Sequence, residues 1–192
     1  MWRVKQILPA VEEFLSAYPV EIIKSNLSDL HLVGTLQFEG KSAGGAYIGR
    51  SIYISSKWGF LHYFDNWSLL GTMHAELSSI LFQHYDFPKE QWQNLNPAGW
   101  RYEGTGIEML GRGDLYVRTE QLFRDGFLEK YSQSSLENDF NTLVEWAVIR
   151  PGELQSLSAK YERISKKYQL VREFYKAVDP RIDISKFSQA KF

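Results

Sequence analysis

The chain has 192 residues, 44% of them hydrophobic and 23% charged, with a formal net charge of −1. That balance suits one globular domain with a proper core and leaves no electrostatic footprint for nucleic acid or an anionic membrane. The absence of cysteine excludes disulfides, thiolate zinc sites and cysteine nucleophiles together.

The leading segment, Val4 to Tyr18, places Val4, Ile7, Leu8, Val11, Phe14 and Leu15 on one helical face, with Pro9 an awkward member. A shorter helical piece spans Pro19 to Asn26. His31 to Phe38 predicts a strand, Gly40 to Gly45 a turn-rich loop, and Ala46 to Ser55 a second strand. The short glycine-bearing link predicts that the two strands pair antiparallel. Trp58 to Trp67 is aromatic and irregular. No run approaches the ~20 apolar residues of a membrane span, and the opening M-W-R-V-K-Q lacks the apolar core of a signal peptide.

Leu69 to Tyr85 predicts the central helix, with Leu70, Met73, Leu77, Ile80 and Leu81 forming one apolar stripe. His74, Glu76, Ser78, Ser79 and Gln83 are an unusual polar set for so apolar a helix. Asp86-Phe87-Pro88 opens a short helix to about Leu95, with Asp86 as its cap. Asn96 to Asp114 is read as loop. Its run E-G-T-G-I-E-M-L-G looks like a phosphate cradle, but it lacks the preceding strand and the G-K-[ST] ending. Thr119 to Tyr131 has helical spacing broken at Gly126. Ser135 caps a helix from Leu136 to Ile149, whose first turn holds Glu137 and Asp139. Leu154 to Val178 is read as one amphipathic helix ended by Asp179-Pro180. The order predicts a single α+β domain over residues 1–192: a small mixed sheet on a central helix, and a helical C-terminal half.

Chemistry is sparse on this pattern. Metal ligands on one helix must stand three or four residues apart, yet His74 and Glu76 lie roughly 200° apart around the axis. Ser78 and Ser79 lack the glycine elbow of a serine nucleophile. Glu76 with Asp139 or Glu137 would make a glycosidase-type pair, although 23 acidic residues offer many such pairs.

Thr72 to Gln83, T-M-H-A-E-L-S-S-I-L-F-Q, resembles the active-site helix of the zinc-binding metallopeptidases found as envelope lipoproteins beside nutrient importers. Leu32-Val33-Gly34, Gly44-Gly45-Ala46-Tyr47, Ile52-Tyr53-Ile54, Gly126-Phe127 to Tyr131 and Asn138-Asp139-Phe140 extend the likeness over roughly Val4 to Trp146, in order. The resemblance implies a zincin-like fold, a cell-envelope or secreted setting, and zinc held by a His-Glu-x-x-His helix. Aligned on Glu76, however, the two ligand positions carry Ala75 and Ser79, and His74 falls one residue, or about 100°, too early. What remains is Glu76 at the place of the general base, with Asp139 or Glu137 as relics of the third-ligand region.

Three readings follow. The first is a catalytically impaired homologue, without a standard metal, that binds peptide or glycan between the Ala46–Ser55 strand and the central helix, with Glu76, His74, Ser79, Asp139 and Glu137 as its site residues. The second is an active hydrolase whose non-standard zinc site uses Glu76, Asp139 or Glu137 and a histidine such as His62 or His84. The third is an interaction domain whose groove its own side chains fill, with Glu76 and His74 as satisfied core groups.

Overall fold

The structure is a computed structural model that describes the backbone of residues 2–55, 57–58, 62–63, 66–110 and 112–187, and the side chains of residues 7–55, 68–110 and 112–187. The chain opens with helices α1 (Trp2–Ser16) and α2 (Val20–Asn26), then strands β1 (Asp29–Val33), β2 (Leu36–Phe38), β3 (Lys41–Ala43), β4 (Gly45–Ile48) and β5 (Ser51–Ser55). Two short strands, β6 (Lys57–Trp58) and β7 (His62–Tyr63), pair antiparallel; the rest of the predicted Trp58–Trp67 segment up to Asp65 lies outside the described residues. Helices follow: α3 (Asn66–His84), α4 (Lys89–Gln93), α5 (Gly106–Met109), α6 (Glu120–Asp125), α7 (Leu136–Ile149), α8 (Pro151–Lys160) and α9 (Glu162–Val178). This is an α+β fold, and none of the described helices is long and apolar enough to cross a membrane.

The main sheet is mixed, in the order β1-β5-β4: β1 runs parallel to β5, and β4 antiparallel to it. The predicted pairing is therefore corrected. Ala46 to Ser55 is not one strand but a hairpin folded at Gly49, whose φ of 59° suits a residue without Cβ. His31 to Phe38 is likewise interrupted after Val33, and its second half pairs with β3, inside the predicted loop. Burial of β5 explains the choice: Ile52 and Ile54 are almost wholly inside and need a partner on each side.

Four helical boundaries also move. Pro88, not Asp86, stands at the N-cap of α4. The glycine-rich run around Thr105 forms α5, where the Thr105 hydroxyl accepts from the Glu108 N–H and the Glu108 carboxylate accepts from the Thr105 N–H. Thr119 caps α6, which Gly126 ends in the left-handed region at φ 92°. Leu154 to Val178 is two helices, because Tyr161 turns extended, at φ −122° and ψ 111°.

One core runs through the molecule. The apolar stripe of α3 (Leu70, Met73, Leu77, Ile80, Leu81) is buried as its spacing predicts, against α1 and α7. Beneath α7 lies a buried ion pair. Asp139 Oδ2 accepts from Lys167 Nζ at 2.7 Å, the Tyr102 hydroxyl at 2.8 Å and Trp92 Nε1 at 3.0 Å. Lys167 also donates to the Gly126 carbonyl at 3.0 Å and stands 4.1 Å from the Phe127 ring centre. Burial pushes the Asp139 carboxyl up and the Lys167 ammonium down, while their mutual attraction opposes both shifts.

Removing one partner strands a buried charge, so Lys167→Met is expected to lower stability by about 3–5 kcal/mol in urea unfolding. The double substitution Asp139→Leu, Lys167→Met should recover about half of that loss or more. A loss in the double variant equal to the sum of the two single losses would show that the two charges act independently.

Candidate functional site

A cavity of about 860 Å³ opens between α3, α7 and the edge strand β4. Each wall follows from sequence spacing. On α3, Ser68, Thr72, Ala75, Glu76 and Ser79 share the face opposite the apolar stripe. On α7, Glu137, Asn138, Asn141, Thr142 and Glu145 do the same, with the fully buried Phe140, Val144 and Ala147 behind them. Strand β4 contributes Gly45, Ala46 and Tyr47. The far side is closed by Phe38 and Ala43, by Thr105 to Ile107 with Leu110, and by Leu115, Arg118, Glu129 and Tyr131.

Glycines bring the walls close. A Cβ on Gly45 would stand 2.5 Å from Thr72 Cγ2 and 2.7 Å from Glu76 Oε1, so only glycine lets β4 lie against α3 there. A Cβ on Gly71 would stand 2.7 Å from Ile149 Cγ2, which sets the same close approach between α3 and α7.

The predicted site residues divide. Glu76, Ser79 and Glu137 line the cavity; His74 and Asp139 do not. Asp139 is corrected to a core residue, because α7 turns its carboxylate inward onto Lys167 and away from Glu76. The glycosidase-type and third-ligand roles built on Asp139 fall with it. His74 is also a core group: its Nδ1 shares a 2.7 Å hydrogen bond with the Tyr18 hydroxyl, and Phe187 stacks on it at 4.7 Å. Burial pushes this imidazole down to about 3, so it is neutral at ordinary pH. His84 lies at the end of α3 with Nδ1 3.0 Å from Asn26 Oδ1, outside the cavity, and the His62 side chain lies outside the described residues.

Ser79 is held by α7. Asn141 Nδ2 donates to Ser79 Oγ at 2.6 Å, and Ser78 Oγ donates to Asn141 Oδ1 at 2.5 Å. Glu137 Oε2 accepts from Gln83 Nε2 at 3.1 Å. Among the described residues, Glu76 has no hydrogen-bond or ion-pair partner. Burial, then the Glu137 and Glu145 carboxylates, push Glu76 up to about 8. Burial raises Glu145 to about 7 against the pull of Arg150 and Arg118. Glu129 also rises to about 7 through burial and then Glu145, opposed by Arg118 3.9 Å away. Tyr47 goes up to about 12, by burial and then by Glu137.

Sequence reasoning missed Glu145, Glu129, Asn141, Arg118 and the cavity tyrosines. One signal was available: Glu137, Asn141 and Glu145 recur every four residues, a polar stripe on an otherwise apolar helix. Glu129 and Arg118 sit on irregular chain and carry no such signal.

The residues present do not fit an ordinary zinc site. The α3 wall offers a methyl at Ala75 and an engaged hydroxyl at Ser79, with no imidazole on the cavity surface among the described residues. No group of three or more His, Cys, Asp or Glu stands close enough to hold an ion among those residues either. What the cavity can do chemically is accept and donate hydrogen bonds: Glu76 and Glu145 titrate near neutral pH, and the open space is not filled by the cavity's own side chains.

Comparison with known proteins gives two matches. A family profile described as "Putative zinc-binding metallo-peptidase" matches residues 29–184. A crystal structure of a putative zinc-binding metallo-peptidase from Bacteroides caccae superposes with a TM-score of 0.57 at 14% identity, covering 94% of this chain and 73% of that one. At that identity the likeness speaks for the fold. No curated protein matches.

An unfolded glutamate ionises near 4.5, whereas Glu76 holds its proton to about 8 in the fold. Between those values the folded state binds the extra proton, so this group's contribution falls as pH rises from 4.5 to 8. Glu76→Gln is expected to be more stable than the unsubstituted protein by ~2 kcal/mol at pH 8, with the gap closing toward pH 4.5. Urea unfolding at both pH values checks it; a gap that widens toward acid would place Glu76 in a favourable ion pair instead.

Proposed function

The chain belongs to the family of putative zinc-binding metallo-peptidases, and on that premise we propose that it is a catalytically impaired member that keeps the substrate cleft as a peptide-binding site. One observation carries the reading: Glu76 faces the cleft from α3, while the same wall carries Ala75 and Ser79 where the family resemblance places imidazoles. A water-activating base without the metal that would bind the water lacks its co-reactant. Ser79 supports the reading further, because Asn141 engages its hydroxyl and leaves no open ligand position there.

The cleft suits an extended ligand. Strand β4 is an edge of the main sheet, and Gly45, Ala46 and Tyr47 border the cavity, so a peptide laid beside it has backbone donors and acceptors to pair with. The protonated carboxyl of Glu76 supplies a donor at the cleft wall at neutral pH, and Glu137, oriented by Gln83, supplies an acceptor. A cell-envelope or secreted setting belongs to the same proposal and rests on the family resemblance alone.

Metal content and ligand binding test this together. Elemental analysis of the purified protein, before and after dialysis against zinc, should find well below one metal ion per chain. Peptide arrays should then capture the protein, and Glu76→Gln should weaken that binding by less than about tenfold, since a neutral amide keeps a donor. Stoichiometric zinc, or capture by glycans with no capture by peptides, would overturn the reading.

A further inference from the structure

The hairpin of β2 and β3 is attached to the rest of the fold in an unusual way. Among the described residues its strands pair only with each other, in the register Leu36↔Ala43, Gln37↔Ser42 and Phe38↔Lys41. Its turn, Glu39-Gly40, has φ of 51° and 77°, the two-residue turn with both central residues left-handed that matches strand twist. The hairpin is thus well formed in itself, while a lone two-stranded ribbon has little stability of its own.

Both ends of this ribbon meet at one residue. The chain leaves β1 at Gly34 and re-enters the main sheet before β4 at Gly44. The Ser55 N–H donates to the Gly44 carbonyl at 2.8 Å, and Ser55 Oγ donates to the Gly34 carbonyl at 3.5 Å. Since β1 and β4 flank β5 on opposite sides, the hairpin straddles the end of β5, with a glycine at each foot. A Cβ on Gly34 would meet nothing within 4 Å, so this foot has room to turn.

The far end is held across the cleft. Lys41 Nζ donates to the carbonyls of Ile107 and Glu108 in α5, at 3.1 Å and 3.4 Å. The Ile107 carbonyl also accepts from the Leu110 N–H at 3.2 Å, while the Glu108 carbonyl, near the end of this four-residue helix, has no backbone donor among the described residues. Phe38 and Ala43 of the hairpin, and Ile107 and Leu110 beside α5, all border the cavity. The lysine therefore joins two opposed apolar lips of the same opening.

We propose that the β2–β3 hairpin is a flap over the Glu76 cleft, hinged at Gly34 and Gly44 on Ser55 and latched by Lys41 onto the carbonyls of Ile107 and Glu108. Its purpose rests on the ligand-binding reading above, but its motion is independent of any ligand. The latch has the strength a gate needs. One charged donor shared between two exposed carbonyls shifts an opening equilibrium several-fold to about tenfold, too little to destabilise the fold and enough to change access.

The absence of native cysteine supplies the test. Ala75→Cys places a single thiol on the α3 wall of the cleft, and its labelling by a bulky maleimide is followed with Lys41 intact or replaced. Lys41→Met should speed labelling several-fold to about tenfold, Lys41→Arg should change it little, and a small alkylating reagent should respond less than the bulky one. Hydrogen exchange on Lys41→Met alone, with residue 75 native, should show faster amides confined to residues 36–43. Unchanged labelling and exchange would make the hairpin a fixed wall and overturn the flap. So would acceleration spread evenly over the chain, which would report global unfolding. Neither result touches the peptide-binding proposal, which stands or falls on the metal and binding measurements.

Discussion

The buried pair of Asp139 and Lys167 holds the architecture of the cleft in place. Asp139 lies in the first turn of α7, and its oxygen gathers three donors from three other parts of the chain: α9, α4 and the loop bearing Tyr102. Lys167 adds the Gly126 carbonyl, and so ties down the segment leading to Glu129 and Tyr131. With its inner face fixed in this way, α7 has one rotation left, and that rotation turns Glu137, Asn141 and Glu145 toward α3. A neutral, well-packed cluster could hold as firmly, but a charge with three donors accepts only one arrangement of them.

That fixed rotation brings carboxyls together. Glu76, Glu145 and Glu129 all resist ionisation, because burial removes water from each and the Glu145 carboxylate further raises the other two. Arg118 and Arg150 ease the charge at one end, and both lie over the Trp146 ring, at 4.7 and 5.5 Å. Among the described residues, Glu76 has no such cation. An uncompensated carboxyl on a cavity wall costs stability, a pattern that goes with sites shaped for a ligand more than with packing.

Much of the fold was legible in residue spacing. The apolar stripe of α3 and the Ser135-capped α7 stand where periodicity puts them, because long amphipathic helices repeat one signal many times. Strands of three to five residues carry too few repeats to announce a partner, and the parallel pairing of β1 with β5 spans a sequence gap that no local pattern records. The site divided along the same line. Glu76 and Ser79 were legible because a motif fixes their helix face. Asp139 and His74 were misplaced because a charged or aromatic polar residue looks the same in sequence whether it points into a cleft or into a core. Only the partners, Lys167 from 28 positions away and Tyr18 from 56, decide between the two.

The glycines at 45 and 71 give the cleft a property its polar residues do not. Each stands at a crossing where a methyl group would collide with the opposite wall, one between β4 and α3, the other between α3 and α7. The gauge of the opening is therefore set by two hydrogen atoms acting as the thinnest available shims. Replacing either would wedge a wall outward and press on a carboxyl as well, Glu76 from position 45 and Glu145 from position 71. Shape and charge in this cleft are thus tied at the same two crossings, so a change in the gauge of the opening also moves the carboxyls that set its electrostatics.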